Sequence, residues 1–149
     1  MVLLGQSAAA QPLEKKVPLL EKKVLSLEAA RKMVAEAERN HWRGVVAVVD
    51  DGGWLILLER MDHAAMTASV ELAAGKARAA ALFKKPSQEL EEAINRGRYA
   101  AITAQGFIEM QGALPVVIDD EVVGAIGASF ETPEHDVQVA RTGLAALGQ

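Results

Sequence analysis

Apolar positions along the chain alternate between two periods. Over Leu27–Asn40 the residues Leu27, Ala30, Val34 and Ala37 follow the three-four spacing of one buried helix face, Ser26 is placed to cap it, and Gly44 ends it. Val45–Val49 and Trp54–Leu58 are short apolar runs joined by the turn residues Asp50-Asp51-Gly52-Gly53, which predicts a β-hairpin. Both runs are nearly continuous rather than alternating, so the pair is expected to be central and covered on both faces. A long helix is predicted from about Ala65 to Phe83. Its small residues, Ala73-Ala74-Gly75 and Ala79-Ala80-Ala81, would let it approach the sheet or a neighbouring subunit closely. Pro86-Ser87 starts a further short helix over Glu89–Asn95 with a solvated look. Three more strands follow at Gly106–Met110, Leu114–Ile118 and Val122–Ser129, the last two joined by Asp119-Asp120. Thr132-Pro133 supplies an N-cap and a proline at the first helical position, opening a last helix to about Leu147.

The predicted order is α-β-β-α-α-β-β-β-α. Five strands with hairpin-length connections imply a mostly antiparallel sheet whose faces three main helices can cover. This is an α+β layered domain, and the arrangement resembles the profilin-like or PAS-like one. At 149 residues and 50% hydrophobic, the chain has material for one substantial core, assigned to 26–149. Aromatics make up only 4%, so Ala, Val and Leu must fill most of the interior. Residues 1–25 read as an amino-terminal arm, with a local echo of PLEKKV by LLEKKV that is too short to build a repeat fold. The opening MVLLGQSAAA reads equally as a short leader and as the remnant of a secretory signal with an A-x-A cleavage site, which leaves a periplasmic or secreted and a cytoplasmic location both open.

Charge and composition narrow the function classes. A net charge of -4 gives no basic field for phosphates, so nucleic acid is not an expected partner. The absence of cysteine excludes disulfides, thiolate nucleophiles, iron–sulfur clusters and Cys-type zinc sites. No run approaches the roughly 20 apolar residues of a membrane span, and the chain is expected to be soluble. No Ser-His-Asp order, HExxH, P-loop or EF-hand pattern is present. Asp50–Gly53 lacks the strand-to-helix context of a dinucleotide loop and reads as a turn, as does Asp119-Asp120.

Four blocks carry a resemblance: VVAVVDDGGWLILLERMDHA (Val45–Ala64), SVELAAGKARAAALFKKPS (Ser69–Ser87), QGALPVVIDDEVVGAIGAS (Gln111–Ser129) and TPEHDVQVARTGLAAL (Thr132–Leu147). In this order they resemble the GlcG/HbpS-like haem-binding family, which includes the carboxy-terminal module of PduO-type proteins. The resemblance spans about Ser26 to Leu147. It implies a small domain that binds haem or another flat metallocycle, often as a homo-oligomer, without one agreed chemistry. Ala113, Phe130 and His63 depart from the family's usual residues, with Ala113 replacing the second glycine of a GGxP segment.

Haem iron needs an axial donor, and without cysteine the field is three His, five Met and Tyr99. His41 either continues the apolar stripe of the first helix as a metal ligand or caps that helix. His63 stands in a loop beside Met61, Asp62 and Met66, as a ligand with soft donors nearby or as a solvated residue. His135, between Glu134 and Asp136, reads as a surface residue. Glu71 and Arg78 share a helical stripe with Gly75 and Leu82 and read as a charge pair, while Lys76 points elsewhere. The other reading puts Lys76 or Arg78 at a pocket edge, holding a haem propionate or a substrate carboxylate. Three functions follow. The first is haem sequestration or sensing through His41, His63, Met61, Lys76 and Arg78. The second is a small isomerase or hydrolase of an organic acid using Glu71, Lys76 or Asp136. The third is an accessory subunit of a larger complex.

Overall fold

A computed structural model describes residues 18–148. Ser26 caps helix α1 (Leu27–Ala37), its Oγ accepting from the Ala29 N–H at 3.1 Å. The helix buries Ala30, Met33, Val34 and Ala37, then tightens into a 3-10 turn over Glu38–Asn40 that ends at His41 in the left-handed region. The remaining elements are β1 (Val45–Asp50), β2 (Leu55–Arg60), α2 (Ser69–Phe83), α3 (Ser87–Asn95), β3 (Ala113–Ile118), β4 (Glu121–Ser129) and α4 (Pro133–Ala145).

The strands form one antiparallel sheet in the order β2-β1-β4-β3. Strand alternation divides the core between its two faces. Val46, Val48, Ile126, Ala128 and Phe130 pack with α1 and α4 residues, including Met33, Val34, Val139 and Ala140. On the other face Val49, Ala113 and Ala125 meet Ala77, Ala80 and Ala81 of α2, while Val45 and Ala47 meet Ala73. The alanine face of α2 is therefore its sheet-facing side.

Two expectations about the sheet are corrected. It has four strands among the described residues, because Gly106–Met110 is not one of them. That segment lies along the outside of α2, where the Ile108 N–H reaches the Gly75 carbonyl at 3.4 Å and the Ile108 side chain covers the bare Gly75 Cα. Its apolar residues are consumed by a helix rather than by a sheet edge. The hairpin is also not central as a pair. β1 is fully enclosed, but β2 is an edge strand, bulged at Ile56, with Leu55 54% exposed. The long helix begins at Ser69 rather than near Ala65, after a loop carrying Asp62–Thr67.

Both hairpin turns lie at one end of the sheet. The Asp50 carboxylate accepts from the N–H groups of Gly52 and Trp54, and Asp119 and Asp120 both take positive φ, the twist a two-residue hairpin requires. The described part of the amino-terminal arm crosses this end. Lys22 pairs with Asp51 at 2.9 Å, Lys23 pairs with Asp119, and the Leu25 N–H donates to the Val123 carbonyl. The leader or signal reading of Met1–Ala10 lies outside the described residues. Among those residues no helix is long and apolar enough to cross a membrane.

Candidate functional site

Three groups of chemistry-bearing residues emerge, and they do not coincide. The first is internal. Lys76 Nζ on α2 lies 2.7 Å from Asp136 Oδ2 on α4 and donates to the Ala128 carbonyl at 3.3 Å; the other carboxylate oxygen accepts from the Phe130 N–H at 2.6 Å. The two side chains are 3% and 6% exposed. Burial pushes the Asp136 carboxyl above its ordinary value, although Lys76 and the Phe130 N–H pull the other way. Lys76 is thus not at a pocket edge, and it joins two layers of the fold. Glu71, Lys76 and Asp136 do not converge either. Glu71 is exposed on another side of α2, as five residues of helix rotation dictate.

The second group lies where α1 runs into β1 and where β2 ends. His41 does not continue the buried stripe of α1. Its φ of 62° turns the chain, and its N–H closes on the Glu38 carbonyl at 3.2 Å, leaving the side chain exposed. One cleft of about 340 Å³ is lined by Glu38, His41, Trp42, Arg43, Met61 and Asp62. A second of about 290 Å³ shares Met61 and Asp62 and adds Arg60, His63, Ala64 and Thr67. The structure therefore gathers His41, Met61 and His63, three of the candidate haem contacts named from sequence, around one loop. His135 is not a free surface residue: its ring stacks on Trp42 at 3.8 Å and 14°, and its buried Nδ1 has no hydrogen-bond partner among the described residues. Nothing in the sequence couples positions 42 and 135. Among the described residues no group of three or more His, Asp or Glu is arranged to hold a metal ion unaided.

Glu38, in the first cleft, is raised above its ordinary value of 4.5 by burial and by the facing Glu59 carboxyl. A carboxyl whose folded-state value is raised favours folding while protonated, so its contribution is lost as pH climbs from the ordinary value through the raised one. Glu38→Gln is therefore expected to melt higher than the wild type at neutral pH, with the gap closing as pH falls through the ordinary glutamate range. Melting curves from pH 4 to 8 check this; a gap that is constant with pH would contradict it.

The third group is the cleft between the outer face of α2 and the Phe107-Ile108 segment, about 520 Å³ and lined by residues including Trp54, Glu71, Gly75, Arg78, Phe107 and Ile108. Arg78 Nη1 donates to the Gly53 carbonyl at 3.3 Å, and the guanidinium lies 5.3 Å from the Trp54 ring and 5.7 Å from that of Phe107. Glu71, Gly75 and Arg78 share this cleft, as their common stripe requires. The expected charge pair does not form: no ion pair joins Glu71 to Arg78 among the described residues, because Arg78 turns to the aromatic rings and the turn carbonyl. The contributions of Trp54, Phe107 and Ile108 had no sequence signal, since only the tertiary fold brings them to α2.

Residues 25–145 match the model of a family described as haem degrading protein HbpS-like. The chain belongs to the HbpS-like family. Protein GlcG of Escherichia coli strain K12 is 40% identical over 112 residues, 72% of this chain and 83% of that protein. The crystal structure of an HbpS double mutant from Streptomyces reticuli superposes with a TM-score of 0.86 at 30% identity, covering 95% of this chain and 99% of the other. A crystal structure of a PduOC:haem complex superposes with a TM-score of 0.74 at 25% identity, covering 83% and 94%. In this HbpS-like chain the four sequence blocks fall on β1–β2 and its following loop, α2, β3–β4, and α4. Two of its three departures are core residues. Ala113 is buried at the start of β3, its N–H donating to Ser87 Oγ at 2.9 Å, and Phe130 is buried over Gly44. Only His63 faces a cleft.

Proposed function

We propose that this HbpS-like chain binds haem or a related tetrapyrrole, for sequestration or sensing, as a homo-oligomer. The observation that carries the reading is the likeness in fold to the PduOC protein that was solved with haem. The donor set of the His41–His63 region fits such a ligand. Two exposed imidazoles and a half-buried thioether flank one loop, Trp42 offers an aromatic wall, and Arg43 and Arg60 stand at the same clefts as counter-charges for propionates. Bound haem would supply a redox-active iron tuned by its axial ligand. Each cleft is near the lower bound of about 300 Å³ for small-molecule sites, so one protomer encloses only part of a tetrapyrrole. A second copy would complete the enclosure. Tyr99 and Ile102, 66% and 69% exposed, offer apolar surface for assembly. Lys76, committed to Asp136, is left out of this reading.

Titration of the purified protein with hemin is expected to give a saturable Soret shift. Replacement of His41 or His63 by alanine should move the Soret position and weaken binding at least about tenfold. Mass photometry should show an oligomer. The reading fails if no saturable shift is seen, or if both single variants and the double variant behave as wild type.

A further inference from the structure

The cleft at Arg78 lies at the other end of the β1–β2 hairpin from His41 and His63. His41 precedes β1 and His63 follows β2, whereas Gly53 and Trp54 belong to the turn between them. Five steps along β1 separate the two ends by about 16 Å. What stands in this second cleft is a fixed positive charge with no acidic partner among the described residues. A guanidinium carries five N–H donors, and among the described residues Arg78 makes one hydrogen bond, to a neutral backbone carbonyl. The Trp54 and Phe107 rings lie within about 6 Å of the guanidinium and hold it by cation–π attraction, which uses none of its N–H donors. The surroundings are shaped around it. Gly53 holds a φ of 75°, and a Cβ there would strike the Arg78 side chain; a Cβ on Gly75 would strike Ile108. Val49, Leu55, Ala74 and Ile108 add apolar wall, and Glu71 supplies one exposed carboxylate in the same cleft.

We propose that this cleft binds a small monocarboxylate, held by Arg78 through its carboxylate, with an apolar body against Phe107 and Ile108 and a hydrogen-bond donor directed to Glu71. A planar guanidinium matches a carboxylate through two parallel N–H bonds. The nearby Glu71 charge disfavours a phosphate dianion and favours a ligand whose far end is a hydroxyl or an ammonium. The site is independent of the haem reading, since it shares no residue with the His41–His63 clefts.

Trp54 reports on the cleft directly, and Trp42→Phe leaves it as the chain's one tryptophan. In that background, butyrate and 4-hydroxybutyrate are expected to change Trp54 fluorescence saturably, the hydroxy acid binding more tightly. Butyramide and inorganic phosphate should do neither. Arg78→Met should weaken both acids about 10–100-fold, as loss of a charged hydrogen-bond pair implies, and Arg78→Lys by about tenfold. Glu71→Ala should remove the preference for the hydroxy acid while keeping the response to butyrate. The inference is overturned if the amide or phosphate binds as well as the acids, or if Arg78→Met in a folded protein binds normally. It also fails if Trp54 responds only to protein concentration, which would make the cleft a contact between subunits. Because the two regions share no residue, hemin titration of the wild-type protein is a separate measurement, and failure of hemin binding there would leave the acid titrations standing.

Discussion

Replacing Lys76 with methionine is expected to cost about 3–5 kcal/mol of stability, because it leaves the Asp136 carboxylate buried without its counter-charge. At 3% and 6% exposure neither partner has water to fall back on. Asp136 Oδ1 would keep the Phe130 N–H, but Oδ2 would lose the Lys76 ammonium as its donor, and burial already pushes this carboxyl upward. Asp136→Asn should cost a comparable amount, because it leaves the Lys76 ammonium without a counter-charge and gives Lys76 and the Phe130 N–H one acceptor oxygen between them where the carboxylate has two. The pair as a whole need not be stabilising relative to apolar residues, since two desolvated charges repay their cost only through good geometry. Lys76→Met combined with Asp136→Asn, whose amide oxygen can still accept from the Phe130 N–H, should therefore recover most of the loss. Urea unfolding midpoints of the two single variants and the double variant check this cycle. A Lys76→Met cost below about 1 kcal/mol would show the pair to be solvated, and an additive double variant would show the two residues to be uncoupled.

The pair also shows where sequence reading stops. Lys76 and Asp136 are 60 residues apart, and the sequence offers each only as a separate candidate site residue; the packing of α2 and α4 on opposite faces of β4 makes them partners. Local signals were legible because their physics is local. Ser26 and Thr132 do accept from the N–H groups three residues on, and the two Asp-rich turns do close hairpins. The surplus strand at Gly106–Met110 came from the same kind of signal, an apolar run between glycines, but its burial is decided by the gap that Gly75 leaves on α2. Edge position was equally hidden: Leu55–Leu58 reads as apolar as Val45–Val49, and only strand order tells them apart. At the candidate site His41, Met61 and His63 can be named from the sequence as candidate donors, whereas the stacking of His135 on Trp42 and the aromatic setting of Arg78 cannot. Both are contacts between distant segments.

Gly127→Val is expected to destabilise the fold by at least about 3 kcal/mol, near the upper end of overpacking costs. A glycine inside a strand ordinarily weakens it by about 0.5–1 kcal/mol through backbone entropy, so an added side chain would help if there were room. There is none. A Cβ at position 127 would overlap the Ala73 carbonyl oxygen and come within 2.8 Å of the Ala77 N and 2.9 Å of its Cβ. Two of these atoms are backbone of α2, which cannot rotate away as a flexible side chain could, so the helix must lift from the sheet. Lifting it would also loosen Val49, Ala113 and Ala125 from Ala77, Ala80 and Ala81. The small residues of α2 and the glycine of β4 are thus one device: each removes atoms so that helix and sheet backbones can touch. Gly127→Ala should already lower the melting temperature, and Gly127→Val should lower it further. Thermal unfolding of both checks the order, and a Gly127→Ala variant as stable as the wild type would mean that α2 does not approach β4 this closely.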